Sequence, residues 1–292
     1  MDCTRLFRVL AAVFALVVLP RLAMAQEDGA PCAGHVLKCV QTAPNFPLAR
    51  DGVVRVFARY RYDSGQTAAG CGTGWYIANR YTLNNVVHGT IITNRHVLEG
   101  VDNVGHYVTT SVQVEFFYIP LPNRACGVEA DNECHIFPGL CSNPTIIAGP
   151  CWDWDLSCDL GRIFIPVGNI PANAAPLTLG ANPVVGQAAW IPQHPQARCM
   201  EWDDGIVAAV PAGCDFTYDI STQGGSSGSP VLDEANQVVG VHRAASGIPG
   251  VCPNIAVKVS ELVRFLGVAP APNCQVVPVE PASWGRLKFI YR

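Results

Sequence analysis

The chain contains many short runs of β-branched and aromatic residues separated by Gly, Pro and Asn, and this pattern restricts the fold more than any other feature of the sequence. Such runs are typical of β-strands joined by turns, as in barrels and sandwiches. Only residues 260–266 have a helical pattern, with Ser260 as the expected N-cap. We therefore predict an all-β fold with one short C-terminal helix. The predicted strands are residues 53–62, 74–77, 90–93, 112–119, 163–166, 188–191, 206–210, 229–232 and 238–242.

Residues 1–25 have the pattern of a secretory signal peptide. Two arginines precede an apolar run over residues 9–19, and residues 23–25 (Ala-Met-Ala) match the small-x-small pattern at which signal peptidase cleaves. The apolar run is too short to span a bilayer of about 30 Å. We therefore expect an exported protein, extracellular or periplasmic, that begins near Gln26 and has no membrane anchor after cleavage.

The net charge argues against polyanionic partners. The chain has a formal charge of −4, and losing the three basic and one acidic side chains of residues 1–25 makes it −6. A negative protein is repelled by nucleic acids and by acidic membrane surfaces. We therefore expect no nucleic-acid partner.

The cysteines indicate a disulfide framework. The chain has 13 cysteines, and twelve remain once Cys3 leaves with the signal peptide, an even number in an oxidising compartment. A zinc cluster is the alternative for the part of the chain around His135, but the paired C-x-x-C spacing of zinc modules is missing. The cysteines of that alternative are Cys126, Cys134, Cys141, Cys151 and Cys158.

The chain divides into four predicted segments. A signal peptide (1–25) precedes an N-terminal extension or pro-segment (26–50), and a Pro-rich C-terminal tail (268–292) follows the main domain (51–267). Within that domain, residues of about 120–152 are Cys-rich and without periodicity, and we predict a long surface loop fastened by disulfides.

Three polar segments carry candidate chemistry. Gly224-Gly225-Ser226-Ser227-Gly228 is a turn whose glycines would expose backbone N–H groups beside a serine hydroxyl. His96 follows the predicted strand 90–93, where an imidazole can be oriented and can activate that hydroxyl. Asp159 begins a further strand, so the chain order is His, Asp, Ser.

These segments resemble the trypsin/chymotrypsin family of serine proteases over roughly residues 50–267, and most closely its bacterial glutamyl-endopeptidase branch. Residues 93–97 (Thr-Asn-Arg-His-Val) resemble the T-N-x-H-V of that branch, and residues 218–231 resemble its Y-D-L-S-T-x-G-G-x-S-G-S-P-V with one conservative change. The resemblance implies a chymotrypsin-like double six-stranded β-barrel and a secreted serine endopeptidase, a monomer that acts on protein or peptide substrates without a cofactor.

By this resemblance, Ser227 is the nucleophile, His96 is the general base, and the N–H groups of Gly225 and Ser227 form the oxyanion hole. We favour Asp159 as the acid that orients His96, because residues 159–165 resemble the family's D-L-A-L-L-x-L, with Arg162 as the misfit. Asp155 and Asp153 remain alternatives.

The resemblance also implies a substrate preference. It assigns Ser221 to the bottom of the primary specificity pocket, and Thr222 and His242 to positions that bind the carboxylate of a P1 glutamate, so we expect cleavage after Glu or Asp. Residues 243–245 (Arg-Ala-Ala) depart from the family's aromatic-Gly-Gly. Ser226 occupies the position of the aspartate with which a new N-terminal amine pairs when trypsin-like zymogens are activated, so we expect an oxyanion hole formed without that ion pair.

Other functions remain as alternatives. The first is a catalytically inactive protease homologue that acts as a protein-binding module. The second is an α/β-hydrolase whose nucleophile is Ser226 in a G-x-S-x-G elbow, but only His242 follows it and no strand–helix alternation surrounds it. Calcium at the acidic loops around Asp131 and Asp203 also stays open. The histidines without a motif, interpreted as surface or structural residues, are His35, His88, His106, His135 and His194.

Overall fold

The computed structural model describes residues 35–102, 104–121, 141–149, 151–245, 253–270 and 273–274. The predicted signal peptide, most of the predicted Cys-rich insertion and most of the C-terminal tail lie outside these residues, as do His135 and Asp131. None of the helices within them has the length and apolar character needed to cross a membrane.

Strands dominate the described residues, and two short α-helices flank them. The helices are α1 (Phe46–Gly52) and α2 (Val259–Leu266). The strands are β1 (Lys38–Cys39), β2 (Val53–Tyr62), β3 (Thr67–Leu83), β4 (Val86–Asn94), β5 (Glu99–Val101), β6 (His106–Phe116), β7 (Thr145–Gly149), β8 (Cys151–Asp155), β9 (Leu160–Pro166), β10 (Ala188–Gln193), β11 (Glu201–Ala209), β12 (Asp215–Tyr218), β13 (Pro230–Asp233), β14 (Val238–Ala244), β15 (Asn254–Lys258) and β16 (Asn273–Cys274).

The strands form two antiparallel sheets. In the C-terminal sheet, the strand order β11-β10-β13-β14-β15-β12 closes through pairing of β11 with β12 into a six-stranded barrel. In the N-terminal sheet, the order β16-β8-β9-β4-β3-β2-β6-β5 curls into a half-barrel, with β7 paired to β6. The predicted chymotrypsin-like double barrel with a short C-terminal helix is confirmed, although only the second barrel is fully closed.

Apolar side chains form a core within each sheet and a further cluster between the two sheets. One core lies within the N-terminal sheet around Val56 and Ile163, and another lies within the closed barrel around Ile191 and Val231. A third cluster draws residues from both sheets together with α2, including Trp75, Ile92, Trp190, Leu232 and Phe265. Burial of this much apolar surface is the main force that holds the two sheets together.

The register between β4 and β9 prepares the site. These strands pair antiparallel from His88↔Pro166 to Asn94↔Leu160. The residues just after β4 and just before β9 are therefore neighbours in space, although more than 60 residues separate them in the chain.

Two local predictions are wrong. The last residues of the predicted Cys-rich loop of about 120–152 lie in β7 and at the start of β8, so this end of the segment is strand and not loop. Ser260 is not the N-cap of α2, because the helix begins at Val259 and Lys258 is its cap residue. The Ser260 N–H instead donates to Asn182 Oδ1 at 3.1 Å, a partner from a distant loop that no local pattern indicates.

Disulfides fasten the loops near the site. Cys141 is bonded to Cys199, and Cys158 to Cys214. Cys39, Cys71 and Cys151 are disulfide-bonded as well. Cys141, Cys151 and Cys158, three members of the alternative zinc cluster, are therefore not metal ligands.

Arg162, the misfit in the family pattern, is a buried structural residue. Its guanidinium donates to both carboxylate oxygens of Asp153, at 2.5 and 2.8 Å, and to the backbone carbonyls of Phe265 and Val268. The cation thereby connects strand β9 to the end of helix α2.

We expect Arg162→Leu to lower the free energy of unfolding by roughly 3–5 kcal/mol, because Asp153 keeps a buried charge and loses the guanidinium. Urea denaturation measures this. The exposed Arg264, which pairs with Asp155 at 2.5 Å, provides the control. Arg264→Leu should cost less than about 1 kcal/mol, and equal losses in the two variants would contradict the assigned role of Arg162.

Candidate active site

His96 lies in a single turn of 3-10 helix, Arg95–Val97, directly after β4. Two tyrosines of neighbouring strands hold this turn through its carbonyls: the Tyr107 hydroxyl donates to His96 O at 2.7 Å, and the Tyr60 hydroxyl donates to Val97 O at 2.9 Å. The backbone that carries the imidazole is therefore held in place by two hydrogen bonds.

Asp159 precedes β9 and contacts His96 twice. Its Oδ2 lies 2.8 Å from His96 Nδ1, and its Oδ1 accepts the His96 backbone N–H at 3.0 Å. Asp159 has a left-handed backbone (φ 56°), which its carbonyl stabilises by accepting the Arg95 N–H and the Asn94 side-chain amide. Burial acts to raise the pKa of Asp159, but the charge and hydrogen bonds of His96 outweigh it, helped by the charge of Arg243, and the pKa is lowered. The carboxylate is therefore ionised at neutral pH and fixes the ring with a proton on Nδ1.

Ser227 lies on the loop between β12 and β13, on the other sheet. Its Oγ is 2.8 Å from His96 Nε2. Since Nδ1 carries the ring proton, Nε2 is the acceptor and the serine hydroxyl is the donor. The structure thus brings together Ser227, His96 and Asp159, the three side chains singled out in the sequence.

Two glycines shape the loop around Ser227. Gly225 and Gly228 both have left-handed backbones (φ 90° and 91°). A Cβ on Gly225 would lie 2.7 Å from His194 O, and one on Gly228 would lie 2.1 Å from Thr73 O. Both positions therefore require glycine for conformation and for space.

The N–H groups of Gly225 and Ser227 have no acceptor within the part of the chain that the structure describes. The Gly224 carbonyl accepts a hydrogen bond from the Gln196 N–H. In a trans peptide the carbonyl and the following N–H point in opposite directions, so this bond turns the Gly225 N–H away from Gln196. Both N–H groups remain able to bind an anionic oxygen.

Thr73 joins the two sheets at this point. Its N–H donates to Ser227 O at 2.8 Å, and its hydroxyl donates to Gly225 O at 2.9 Å. The same hydroxyl accepts the His194 N–H at 3.0 Å. One residue of β3 therefore positions the nucleophile loop of the closed barrel relative to the sheet that carries His96.

The turn that contacts Gly224 is strained and strongly supported. Gln196 and Ala197 have left-handed backbones (φ 49° and 58°), which cost roughly 1–2 kcal/mol per non-glycine residue. The buried Arg55, paired with Glu115, donates to Ala197 O at 2.7 Å. Arg198 binds the side chain of Gln196 at 2.6 Å, as well as those of Glu201 and Gln223.

His194 completes this support in its neutral form. It is fully buried, and its Nδ1 lies 3.0 Å from Arg198 O, so Nδ1 carries the proton. Burial, with the nearby charge of Arg55, lowers the pKa of His194 to about 3 despite the bond to Arg198.

The predicted specificity residues Ser221, Thr222 and His242 are all buried. Ser221 N–H donates to Asp203 Oδ2 at 2.9 Å. Thr222 Oγ1 accepts a hydrogen bond from Asn254 Nδ2 at 2.9 Å, and His242 Nδ1 is hydrogen-bonded to the Tyr218 hydroxyl.

The alternative acids and the alternative nucleophile have other partners. Asp155 accepts from Ser157 and Arg264, and Asp153 pairs with Arg162, whereas His96 Nδ1 is hydrogen-bonded to Asp159. Ser226 Oγ bonds to Gln193 Oε1 rather than to a histidine. Asp203, around which calcium was left open, contacts His35 and Lys38.

Sequence reasoning missed Thr73, Asn254, Gln193 and the Gln196 turn. Each acts through a hydrogen bond to a residue at least 25 positions away, and none belongs to the quoted motifs. Gln196 and Ala197 both have positive φ, which a glycine in the sequence often indicates. This segment contains no glycine, so the turn had no signal in the sequence.

The sequence and the fold are similar to those of known proteins. The family model described as "Trypsin-like peptidase domain" matches residues 72–241, more than half of the chain and a range that includes Ser227, His96 and Asp159. A secreted RxLR effector protein 73 of Plasmopara viticola is 27% identical over 218 residues, 69% of this chain and 48% of that protein. The chain thus spans about half the length of this curated relative.

Solved structures share the fold. The Rv3671c protease of M. tuberculosis in its active form aligns with a TM-score of 0.50 and 18% identity, over 81% of this chain and 86% of that chain. The serine endoprotease from Yersinia pestis aligns with a TM-score of 0.51 and 17% identity, over 76% of this chain and 65% of that chain. At these identities the likeness concerns the fold alone.

The neutral state of His194 predicts a loss of stability in acid. The unfolded chain takes up a proton near the ordinary pKa of 6.5, whereas the folded chain does so only near 3. The free energy of unfolding should therefore fall as pH drops from 6.5 towards 3, by about 1.4 kcal/mol per pH unit from this residue.

His194→Gln should be less stable at pH 7 but should show a shallower fall in acid, measured by urea denaturation between pH 7 and 4. His106→Gln is the control, since hydrogen bonds to Asp63 and Glu99 raise the pKa of His106 and give it the opposite sign. An unchanged acid slope in His194→Gln would refute the assignment.

Proposed function

The chain belongs to the family of trypsin-like peptidase domains, and we propose that it is a secreted serine endopeptidase that uses Ser227, His96 and Asp159 as its catalytic triad. The observation that carries this proposal is the unbroken contact from Ser227 Oγ to His96 Nε2 to Asp159, each step 2.8 Å long. Such a contact makes a serine hydroxyl nucleophilic at neutral pH.

The reaction begins when Ser227 Oγ attacks the scissile carbonyl carbon and its proton passes to His96 Nε2. The negative charge that develops on the carbonyl oxygen is stabilised by the N–H groups of Gly225 and Ser227. Ionised Asp159 stabilises the imidazolium through Nδ1. His96 then gives its proton to the leaving amine, and an acyl-enzyme remains on Ser227.

Water completes the cycle by the reverse route. His96 takes a proton from the water as it attacks the ester, and the proton returns to Ser227 Oγ when the carboxylic acid leaves. No group beyond these side chains and backbone amides takes part.

Secretion is supported by the signal-peptide pattern of residues 1–25 and by the disulfides, which persist in oxidising compartments. The matched Plasmopara viticola protein is itself named a secreted effector.

We further propose a preference for acidic P1 residues, as in the glutamyl-endopeptidase branch. Asn254 donates to Thr222 Oγ1, which leaves the threonine proton available for a substrate carboxylate. When the Tyr218 phenol donates to His242 Nδ1, the neutral ring carries its proton on Nε2 and is a second donor. The Asp203 carboxylate, which accepts the Ser221 N–H, is itself in contact with His35 and Lys38.

The triad proposal predicts that purified protein is labelled by a fluorophosphonate and that Ser227→Ala is not. Asp159→Asn should lower kcat by about 10⁴-fold, because the imidazole loses its orientation and its counter-charge. Asp155→Asn, a matched change at the end of strand β8, should leave kcat within about two-fold. Absence of labelling in the folded wild type would instead favour an inactive homologue that binds proteins.

The specificity proposal predicts that kcat/KM is highest for Glu or Asp in a panel of peptides that differ only at P1. Thr222→Val should reduce kcat/KM for the glutamyl peptide by roughly 10-fold or more, since it removes a charge-assisted hydrogen bond. Thr217→Val on β12 is the matched control and should change little. Preferred cleavage after Lys, Arg or large apolar residues would exclude this assignment.

A further inference from the structure

Asp203 on β11 is a buried acid that the reaction does not use. Its side chain is only 1% exposed, whereas that of its neighbour Asp204 is 52% exposed. Asp203 Oδ2 lies 2.9 Å from His35 Nδ1, and Oδ1 lies 3.6 Å from Lys38 Nζ. Both partners come from the segment just before and within β1. A buried carboxylate is costly unless such partners compensate it.

The same carboxylate holds a residue of the proposed specificity pocket. Asp203 Oδ2 also accepts the backbone N–H of Ser221 at 2.9 Å. Ser221 is fully buried, so its N–H depends on this acceptor being in place.

From Ser221 the hydrogen bonds continue to the residue beside the nucleophile. Ser221 O accepts from Gln193 Nε2 at 2.9 Å, and Gln193 Oε1 accepts from the Ser226 hydroxyl. Ser226 Oγ in turn accepts the Gln223 N–H at 3.2 Å. Ser221, Gln193 and Ser226 are fully buried, so the hydrogen bonds that join these three residues lie out of contact with water.

The N-terminal segment is anchored well enough to act on this network. Lys38 and Cys39 pair with Trp202 and Glu201 of β11, and Val40 is fully buried. Thr42 Oγ1 accepts the Trp202 indole N–H at 3.0 Å. Removing these residues would take out a strand and two of the groups that compensate Asp203.

We propose that residues 35–39 are a permanent positioning element of the peptidase: His35 and Lys38 hold Asp203, and the Asp203–Ser221–Gln193–Ser226 network holds the pocket floor and the nucleophile loop. This inference rests on the proposed function. It means that the active enzyme retains these residues, so the predicted extension or pro-segment (26–50) is not removed as a whole. Without these two partners, the Asp203 carboxylate would have to reach water, and Ser221 and Ser226 would lose their fixed positions.

The first test compares Asp203→Asn with Glu234→Gln, the same carboxylate-to-amide change at an exposed position. Asp204 is not a suitable control, because Lys38 is hydrogen-bonded to it. An amide at 203 would face His35 and Lys38 with a donor in place of a carboxylate oxygen. We expect Asp203→Asn to slow fluorophosphonate labelling and kcat by at least ~10-fold, with KM less affected, and Glu234→Gln to stay within ~2-fold. Circular dichroism and urea denaturation establish that both variants are folded.

A purely structural role for Asp203 would give a smaller labelled fraction that reacts at the wild-type rate. The inference instead requires full labelling at a reduced rate, so a wild-type rate in Asp203→Asn overturns it. If the wild type itself is not labelled, it is the proposed function that fails.

A second variant covers the case in which Asp203→Asn does not fold. His35→Ala keeps the carboxylate and opens a space at a partly exposed site. We expect slower labelling that added imidazole restores at least in part, with wild type and Ser227→Ala in the same buffer as controls. Labelling at the wild-type rate without imidazole would contradict the proposal.

N-terminal sequencing of the active, labelled form is the third test. We expect it to begin before His35. An active form that begins after Lys38 would overturn the inference.

Discussion

The geometry of this molecule depends on hydrogen bonds that cross between its two sheets. Ser227 belongs to the closed barrel, whereas His96 and Asp159 belong to the half-barrel, so their contacts exist only if the sheets keep their relative positions. The apolar cluster shared by both sheets holds them together, but hydrophobic contacts do not fix their relative orientation. Thr73 fixes that orientation, because its amide and hydroxyl donate to two carbonyls of the loop that carries Ser227. The close fit of Gly228 against the Thr73 carbonyl leaves no space for a different alignment.

Buried charges have a related role in a chain of which only 14% of residues are charged. Arg55 with Glu115, Arg198 with Glu201, and Arg162 with Asp153 each hold a loop or helix end through additional bonds to backbone carbonyls or side-chain amides. Replacement of a buried ion pair by apolar residues often costs nothing in stability. We therefore infer that these pairs fix the positions of loops and helix ends, and that the pairs of Arg55 and Arg198 fix the turn beside Ser227.

The sequence allowed the fold class to be predicted, and it singled out the three side chains that the structure brings together, because these signals are local. Strand β2 has the predicted limits, and residues 218–231 carry their pattern in consecutive positions. The supporting residues could not be predicted in the same way. Asn254 binds Thr222 across 32 positions, and Gln193 binds Ser226 across 33, and the register that makes them neighbours exists only in the folded barrel. Arg162 looked like a misfit for the same reason: its partner Asp153 lies on the adjacent strand.

The Gly225 amide owes its direction to the turn at residues 195–198, about thirty positions upstream of the serine loop. The direction of an oxyanion-hole amide is therefore encoded in a different part of the sequence from the serine beside it. A descendant could keep every letter of residues 218–231, lose the upstream turn, and become inert while still looking like an enzyme to anyone who compares motifs. On the proposed function, loss of activity by that route needs no change to Ser227, His96 or Asp159, and restoring the turn would reverse it.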